Sequence, residues 1–372
     1  MRPRHRDETF TCVRIDGGAG SFPRPPGGHG DRDAGATDGW QARPHRAFDV
    51  ALAQLAHAST RPERGQRRTS SCTTAGRTPF TMPGPPHAKL PAVPHYTGPL
   101  LTRDSAAALL DARARGDARW DGSLDLGRST GEVLLGSGHW QWRGTGYPYP
   151  EPLKDRTIYW FDQGEWTPVS RYAGSLIKLV PTAWAVPTFE IDGIKMLPTS
   201  KESPLDDARR KVALVQPRGK AVLDTCGGLG YFAACCLEAG VARVLSFEKN
   251  DSVLWLRQLN PWSPDPDAPA AGGRLQLVHA DVSGAIAALA DASFDAVLHD
   301  PPRFGIAGEL YSQVFYDQLA RVLRRGGSLF HYTGAPNRLT SGRDVPREVA
   351  RRLEKAGFKA QLALDGVLAT RR

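Results

Sequence analysis

The sequence predicts an α/β protein whose C-terminal half forms a doubly wound, mostly parallel sheet of seven strands. Three observations predict this fold. Apolar strands alternate with helical segments from residue 221 to residue 356, a glycine-rich loop (Gly227 to Gly230) follows the first strand, and an Asp365-Gly366 turn joins the last two strands. Regular β/α alternation gives parallel strands with right-handed crossovers, and a tight Asp-Gly turn closes an antiparallel hairpin.

Each element of this half has a local signal. Ser203 is a good N-cap, Pro204 suits the first helical position and Asp206 and Asp207 fall in the first turn, which together predict a helix over residues 203–216. The alternation then predicts strands at 221–224, 243–247, 275–278, 295–299 and 328–332, helices at 230–239, 251–259, 283–290, 309–324 and 344–356, and final strands at 358–364 and 366–370.

The N-terminal part of the chain divides into two further regions. Residues 1–98 are rich in Gly and Pro and predict a disordered tail, with one helical possibility from Ala47 to Ala58. Its arginines and its Ser/Thr stretch at 69–74 are compatible with an organellar transit peptide, but acidic residues count against one: Asp7, Glu8, Asp31, Asp33 and Asp38. An unstructured extension, or a true start at Met82, fits equally well. We therefore expect a cytoplasmic protein, with organellar import as the alternative.

Residues 99–200 predict a small β-rich domain before the catalytic domain at 201–372. One helix is expected at 104–115, followed by short apolar runs at 132–135, 158–161, 176–180 and 188–191 that suit antiparallel strands. Eleven Trp, Tyr and Phe residues lie between positions 140 and 189. Such rings can stack on exposed bases, but a small β domain also needs them in its core, and the near-neutral charge of the region favours the core.

Composition excludes several classes of protein. The net charge is +9, but residues 1–98 hold 14 Lys and Arg against 8 Asp and Glu, and residues 99–372 hold 34 against 31. The folded part therefore gives no charge-based argument for nucleic-acid binding. No apolar run approaches the roughly 18 residues that would cross a bilayer, so we expect no membrane-spanning helix. The five cysteines match neither a zinc pattern nor a disulfide framework, and we predict no metal site.

Four consecutive strands of the predicted sheet end at a carboxylate: Asp224, Glu248, Asp281 and Asp300. Ligands of open parallel sheets bind at the carboxyl ends of the strands. One acid at a strand end usually caps the next helix, but four at one edge predict a pocket for a cofactor that contains adenosine. Glu248 suits the ribose hydroxyls, Asp281 suits the exocyclic amine of adenine, and Asp224 can hold a cationic amino group.

The glycine loop admits two kinds of cofactor. Gly228 and Gly230 let the backbone approach a ligand closely, and the run from Gly228 to Ala233 also fits the G-x-G-x-x-A pattern of NAD-binding proteins. Two features argue against NAD. Asp224 closes the strand four residues before Gly228, and hydride transfer has no use for the Asp300-Pro301-Pro302 turn.

That turn is the second specific signal. Each proline restricts its own φ and the residue before it, so Asp300 and Pro301 are held rigidly at the sheet edge. The Asp300 carboxylate and the Pro301 carbonyl can accept the two hydrogens of a planar amine, and Phe304 can stack on the ring that carries it. Nearby His299, His331 and Tyr332 could take a proton, but buried, hydrogen-bonded histidines are the more frequent outcome.

Four stretches carry a resemblance to a known family: Leu223 to Tyr231, Leu259 to Ser263, His299 to Phe304, and His331 to Gly334. They resemble class I S-adenosylmethionine-dependent methyltransferases, most closely the predicted methyltransferases of unassigned substrate that are common in archaea. The similarity extends from about Leu100 to the C-terminus and includes the β-rich region.

The resemblance implies a Rossmann-like methyltransferase sheet, S-adenosyl-L-methionine as cofactor, and specific residue roles. Gly228 and Gly230 would line its methionine moiety, with Cys226 at the position of the usual first glycine. Glu248 would hold the ribose, Asp281 would meet the adenine, and Asp300 to Pro302 would be the acceptor motif.

The acceptor and the transferred group stay open. Related Asp-Pro-Pro-basic-Phe turns occur in RNA methyltransferases, which makes an RNA base one candidate acceptor, beside small molecules and proteins. An aminopropyl transferase of the spermidine synthase type is the alternative enzyme, and an adapter that keeps only the sheet is the non-catalytic alternative.

Overall fold

A computed structural model of the 372-residue protein describes residues 95–334 and 344–372. The first 94 residues, with the predicted tail and the helix expected at 47–58, lie outside the described residues. By contacts between Cα atoms, the described residues belong to one compact unit.

A seven-stranded, mostly parallel sheet forms the centre of this unit, as predicted. Its strands are β12 (Ala221–Asp224), β13 (Arg243–Glu248), β14 (Leu275–His279), β15 (Phe294–His299), β16 (Leu323–Tyr332), β17 (Phe358–Ala363) and β18 (Gly366–Arg371). Their spatial order is β14-β13-β12-β15-β16-β18-β17. All neighbouring strands pair in parallel except β18, which is antiparallel to both β16 and β17.

Seven α-helices accompany the strands in the described part of the chain, close to the predicted positions. They are α1 (Arg103–Ala114), α2 (Pro204–Val215), α3 (Tyr231–Glu238), α4 (Asp251–Leu259), α5 (Val282–Ala285), α6 (Gln313–Val322) and α7 (Val345–Lys355). Among the described helices, none is both long and apolar enough to span a bilayer.

Two predicted helices differ from the observed ones. The helix expected at 283–290 is a short α5 followed by a 3-10 turn, Ile286–Ala288. The helix expected at 309–324 begins at Gln313, because Ser312 caps it by accepting a hydrogen bond from the Phe315 amide. It ends at Val322, before two glycines, Gly326 and Gly327, that disfavour helix.

Alternate residues of the central strands feed two separate cores. On β12, Val222 packs with residues of α2, α3 and α4, whereas the next residue, Leu223, packs with residues of α5, α6 and α7. Successive side chains of a strand point to opposite faces of its sheet. The result is a three-layer arrangement with α2–α4 on one face and α5–α7 on the other.

The β-rich region forms three small antiparallel sheets. One has the order β1-β6-β7, one β2-β3-β4-β5, and one β11-β10-β9-β8. The strands are β1 (Leu100–Leu101), β2 (Arg119–Gly122), β3 (Gly131–Leu135), β4 (His139–Trp142), β5 (Thr145–Pro148), β6 (Tyr159–Asp162), β7 (Glu165–Pro168), β8 (Ser170–Tyr172), β9 (Leu176–Val180), β10 (Thr188–Ile191) and β11 (Ile194–Lys195).

The aromatic residues of this region mainly fill cores, as the charge balance suggested. Trp140, Trp142 and Tyr147 are buried together in one cluster, and the Trp140 ring lies parallel to Trp166 with centroids 5.9 Å apart. The indole N-H of Trp140 donates to the Pro148 carbonyl at 3.1 Å. Tyr172 is an exception, since its side chain is exposed.

Replacing Trp140 by Ala should lower the free energy of unfolding by about 3–5 kcal/mol, because it removes a fully buried indole and leaves a cavity. Urea unfolding followed by fluorescence measures this loss. Tyr172→Ala is the matched control, and with 76% of that residue exposed the change should stay within about 0.5 kcal/mol. Equal losses in the two variants would contradict an aromatic core centred on Trp140.

Candidate active site

The glycine loop follows β12 directly and is held by main-chain hydrogen bonds. Gly228 and Gly230 have φ values of 49° and 84°, in the left-handed region that favours glycine. The Gly230 amide donates to the Gly227 carbonyl at 2.7 Å, and the Gly227 amide donates to the Phe247 carbonyl at 2.7 Å. The loop is therefore a fixed turn at the carboxyl edge of the sheet.

The guanidinium group of Arg257 lies beneath this loop. A Cβ atom on Gly230 would come within 2.5 Å of Arg257 Nη2, and one on Gly227 would come within 3.0 Å of Nη1. Arg257 belongs to α4 and is only 2% exposed. Within the described residues, its three side-chain nitrogens have no hydrogen-bond partner. Its charge is instead balanced by the carboxylates of Asp224 and Glu248, which offset the lowering of its pKa by burial.

Asp224 is fully buried at the end of β12. One carboxylate oxygen accepts a hydrogen bond from the Ser246 hydroxyl at 2.8 Å. Burial raises the pKa of Asp224 to about 7, although Ser246 and Arg257 favour its ionised form. Because Asp224 has no exposed surface, it acts on the site through its charge in this structure, and its predicted contact with an amino group stays a prediction.

Glu248 joins the glycine loop to the next turn. Its Oε2 accepts from the Gly228 amide and its Oε1 from the Asn250 amide, both at 2.9 Å. Burial raises the pKa of the half-buried Glu248, although these amides and Arg257 favour the charged form. Each carboxylate oxygen has a second lone pair, so both oxygens can also accept from a ligand.

Asp281 has a different environment. It is exposed and caps α5, accepting hydrogen bonds from the Ser283 amide at 2.9 Å and the Ser283 hydroxyl at 2.7 Å. Lys249 Nζ lies 3.4 Å from its other oxygen. These contacts give the capping role that a single acid at a strand end usually has, and the adenine contact stays a prediction.

The Asp300-Pro301-Pro302 turn ends β15, beside β12 in the sheet. The Thr225 amide donates to the Leu298 carbonyl at 3.1 Å, which keeps the ends of these two strands together. The Tyr311 hydroxyl donates to the Pro302 carbonyl at 3.1 Å. The Tyr311 ring meets the Phe304 ring edge-on, with centroids 5.5 Å apart, and Phe304 is 45% exposed.

The Asp300 carboxylate is half-buried. Among residues 95–334 and 344–372, no donor is hydrogen-bonded to it. Burial raises the pKa of Asp300 to about 6. The positive charge of Lys211 lowers this pKa, whereas the smaller effects of Asp207 and Asp365 raise it. At neutral pH the group is mostly ionised and can accept hydrogen bonds.

His299 and His331 have structural roles. Both are fully buried, and burial lowers the pKa of each, that of His331 to about 4, so both are neutral at physiological pH. His299 Nδ1 lies 2.7 Å from the Thr225 hydroxyl and Nε2 lies 3.1 Å from the Leu310 carbonyl. His331 Nε2 lies 3.0 Å from the Tyr316 hydroxyl. The expectation of hydrogen-bonded core histidines fits these contacts.

The β-rich region contacts the glycine loop. Phe189 of β10 lies 3.8 Å from the position that a Cβ on Gly228 would take. The Tyr231 hydroxyl, at the start of α3, donates to the Pro187 carbonyl at 2.7 Å, and the Trp262 indole donates to the Leu126 carbonyl at 2.9 Å. Trp262 therefore joins the two parts of the structure.

The predicted site residues occupy one edge of the sheet, and other residues were missed. Asp224, Cys226, Glu248 and Asp300 are close enough for their charges to act on one another. A separate cleft of about 800 Å³ between the β-rich region and α3 contains none of the ten predicted site residues. Sequence reasoning missed Arg257, Lys211, Asp207 and Phe189. Of these, only Asp207 and Lys211 could have been predicted, because opposite charges four residues apart on a predicted helix can pair.

Comparison with known proteins places the chain in a family. No protein-family model matches the chain. A protein of Methanocaldococcus jannaschii, "Uncharacterized protein MJ1233", is 41% identical over 202 residues, which span 54% of this chain and 68% of that protein. The chain therefore belongs to the same family as this archaeal protein, whose name gives no activity.

Solved structures give weaker similarities. A spermidine synthase in complex with the transition-state analogue AdoDATO has a TM-score of 0.41 and 17% identity, covering 55% of this chain and 73% of its own. The spermidine synthase of Thermotoga maritima has a TM-score of 0.40 and 18% identity, covering 55% and 72%. An S-adenosylmethionine-dependent methyltransferase of Mesorhizobium loti has a TM-score of 0.33 and 17% identity, covering 42% and 84%.

Replacing Gly230 by Ala should destabilise the protein by more than the backbone cost alone. The left-handed conformation costs about 1–2 kcal/mol for a residue with a Cβ, and the contact with Arg257 should add about 1–3 kcal/mol of overpacking. Gly164→Ala is the matched control, since Gly164 has a φ of 93° but open space around its Cβ position. Urea unfolding compares the two variants. Equal losses would show that Arg257 does not constrain the loop.

Proposed function

We propose that this protein is an S-adenosylmethionine-dependent methyltransferase that methylates the nitrogen of a planar amine, with Asp300-Pro301-Pro302 as the acceptor motif. The observation that carries this proposal is the Asp300 carboxylate, which is half-buried and has no hydrogen-bond donor among the described residues. It ends the strand beside the one that leads into the glycine loop. A rigid acceptor that is unpaired within the described part of the chain suits a substrate amine.

Four residues are suited to hold the cofactor, which supplies an electrophilic methyl group on a sulfonium. Gly228 and Gly230 keep the loop free of side chains. Glu248 retains lone pairs for the ribose hydroxyls after binding two backbone amides. Phe189, beside Gly228, can provide an apolar wall on the side of the β-rich region.

On the acceptor side, the protein contributes orientation and charge. Asp300 and the Pro301 carbonyl accept the two amine hydrogens, which turns the nitrogen lone pair toward the methyl group. Correct placement of two reactants can contribute roughly 7–11 kcal/mol to lowering a barrier. With a pKa of about 6, Asp300 can also receive the proton that the amine loses. It orients the acceptor more than it acts as a strong base.

We propose an RNA base as the first acceptor class to test. Phe304 is an exposed ring beside the acceptor motif and can stack on a base, while the neighbouring Arg303 is also exposed. A nucleobase carries the planar exocyclic amine that the turn suits. Small molecules and protein side chains are the other outcomes of the test.

Aminopropyl transfer is the second candidate, because acidic side chains surround the acceptor edge. Asp207 and Asp365 both act electrostatically on Asp300, and carboxylates would suit a polyamine. Calorimetry with S-adenosylmethionine and with its decarboxylated form separates the two. Methyl transfer requires binding of the former, whereas preference for the decarboxylated form favours aminopropyl transfer. Binding of neither would favour a non-catalytic adapter.

Replacing Asp300 by Ala should abolish methyl transfer and change cofactor affinity by no more than several-fold, because Asp300 touches the acceptor and not the cofactor. The assay incubates the protein and methyl-labelled S-adenosylmethionine with cell extract and measures the label transferred from S-adenosylmethionine to other molecules. Calorimetry with S-adenosylmethionine measures affinity in the same variant.

Asp121→Asn is the control, since Asp121 is an exposed strand residue of the β-rich region, and it should keep wild-type activity. Treating the labelled product with nuclease or protease, or filtering it, then identifies the acceptor class. Full activity in Asp300→Ala contradicts the assignment of the acceptor motif. Label that survives nuclease contradicts an RNA acceptor.

A further inference from the structure

A buried ion pair lies on α2, and neither of its residues is among the site residues predicted from the sequence. Asp207 and Lys211 are one turn apart, and Lys211 Nζ lies 2.6 Å from Asp207 Oδ2. Lys211 has no exposed surface and Asp207 is 4% exposed. Charged residues are almost never so deeply buried unless they are paired, and the desolvation of such a pair is costly. Packing alone would be served as well by two apolar side chains.

The lysine also contacts an aromatic ring at the carboxyl edge of the sheet. Its Nζ lies 3.7 Å from the centroid of the Tyr332 ring, within the range of a cation–π interaction. Tyr332 is the last residue of β16, and β16 pairs with β15 up to His299, the residue before Asp300. The helix that carries Lys211 packs on both strands. The ammonium group therefore has a fixed place behind the acceptor motif.

Among the described residues, Lys211 is the cation that acts on Asp300, and the other groups that face Asp300 oppose it. Lys211 favours the ionised carboxylate, whereas Asp207 on α2 and Asp365 in the β17–β18 turn favour the protonated one. The other titratable groups that the described part of the chain places around Asp300 are Asp224 at the end of β12, Cys226 in the glycine loop and Tyr332 at the end of β16. Without Lys211, Asp300 would be surrounded only by acids and neutral groups among these residues.

We propose that Lys211 is a positioning residue for the acceptor side of the site. Held between the Asp207 carboxylate and the face of Tyr332, its ammonium group keeps the Asp300 carboxylate in the ionised form that accepts hydrogen bonds, and it fixes the Tyr332 ring beside it. This inference rests on the proposed function, because it assigns to Asp300 the role of acceptor motif. Lys211 itself acts through Asp300 and does not need to touch the substrate.

The test is a direct titration of Asp300 in the full-length protein without cofactor or acceptor. Aspartate labelled with 13C at the side-chain carboxyl gives one NMR signal per residue, and Asp300 is assigned by the signal lost in Asp300→Asn. We expect an inflection near pH 6 in the wild type. Lys211→Met should raise the inflection by about one pH unit, because an opposite charge is lost. Lys211→Arg should restore it.

A second variant should shift the Asp300 inflection in the opposite direction. Asp207→Asn removes a negative charge that raises the pKa of Asp300, so the inflection of Asp300 should move to lower pH. General loosening of the structure would move both variants in the same direction. Lys211→Gln, whose amide can still donate to Asp207, serves if the Met variant does not fold. Arg209→Met is the control, since Arg209 is on the same helix but exposed, and it should leave the inflection unchanged.

An Asp300 inflection that stays the same in both Lys211→Met and Lys211→Gln overturns the inference. The inference is also overturned if Lys211→Met and Asp207→Asn shift the Asp300 inflection in the same direction. Because the titration uses neither S-adenosylmethionine nor an acceptor, its outcome is independent of methyl transfer. If the predicted shifts occur but Asp300→Ala keeps full methylation activity, the proposed function fails while the charge coupling stands.

Discussion

The candidate cofactor site depends on one buried cation, the guanidinium group of Arg257. It fills the space beneath the glycine loop, so a Cβ on Gly227 or Gly230 would meet its terminal nitrogens. Its positive charge also favours the ionised forms of Asp224 and Glu248, against the burial that raises the pKa of both. Glu248 in turn holds the Gly228 amide. Loop conformation and charge balance are thus coupled through a single side chain of α4.

The part of the edge around the Asp300-Pro301-Pro302 turn repeats this arrangement with a different helix. There the cation is Lys211, its partner is Asp207, and the group at the edge is Asp300. In each half a buried cation from a helix on the same face of the sheet lies behind a carboxylate at the end of a strand. Breaking such a pair leaves an uncompensated buried charge, at a cost of about 3–5 kcal/mol. Both cations therefore constrain stability as well as local electrostatics, which makes each a poor position for neutral substitution.

Much of the fold was accessible from the sequence because its signals are local. The helix α2 begins at Pro204 behind its Ser203 cap, as the residue types indicate. The last hairpin forms as predicted, but its turn lies one residue earlier, at Leu364-Asp365, and Gly366 already pairs with Ala363. The predicted end of α6 at residue 324 was wrong, because the helix ends at Val322 and β16 begins at the next residue without a loop.

The site was less accessible, because its electrostatics depend on contacts that are distant in sequence. Arg257 is an unremarkable arginine in an amphipathic helix until the fold places it under Gly230. Asp281 looks equivalent to Glu248 at its strand end, yet it faces solvent and caps its own helix. The predicted strand ends showed which strands are followed by acidic residues. They could not show which of those acids are buried, because burial depends on the elements that pack over them.

The β-rich region packs on the α/β half and contributes a residue beside the glycine loop. Leu179 and Phe189 belong to the same buried cluster as Val222 and Phe232 of the α/β half, and Phe189 faces the loop at Gly228. Three connections, from Tyr231 to the Pro187 carbonyl, from Trp262 to the Leu126 carbonyl and from Ser263 to the Leu229 carbonyl, tie the loop and the β-rich region into one network. Because backbone carbonyls accept these bonds, the network depends on the backbone path at Pro187, Leu126 and Leu229. A shift of the β-rich chain would therefore be transmitted to Tyr231 and Trp262, which lie next to the glycine loop and after α4, respectively.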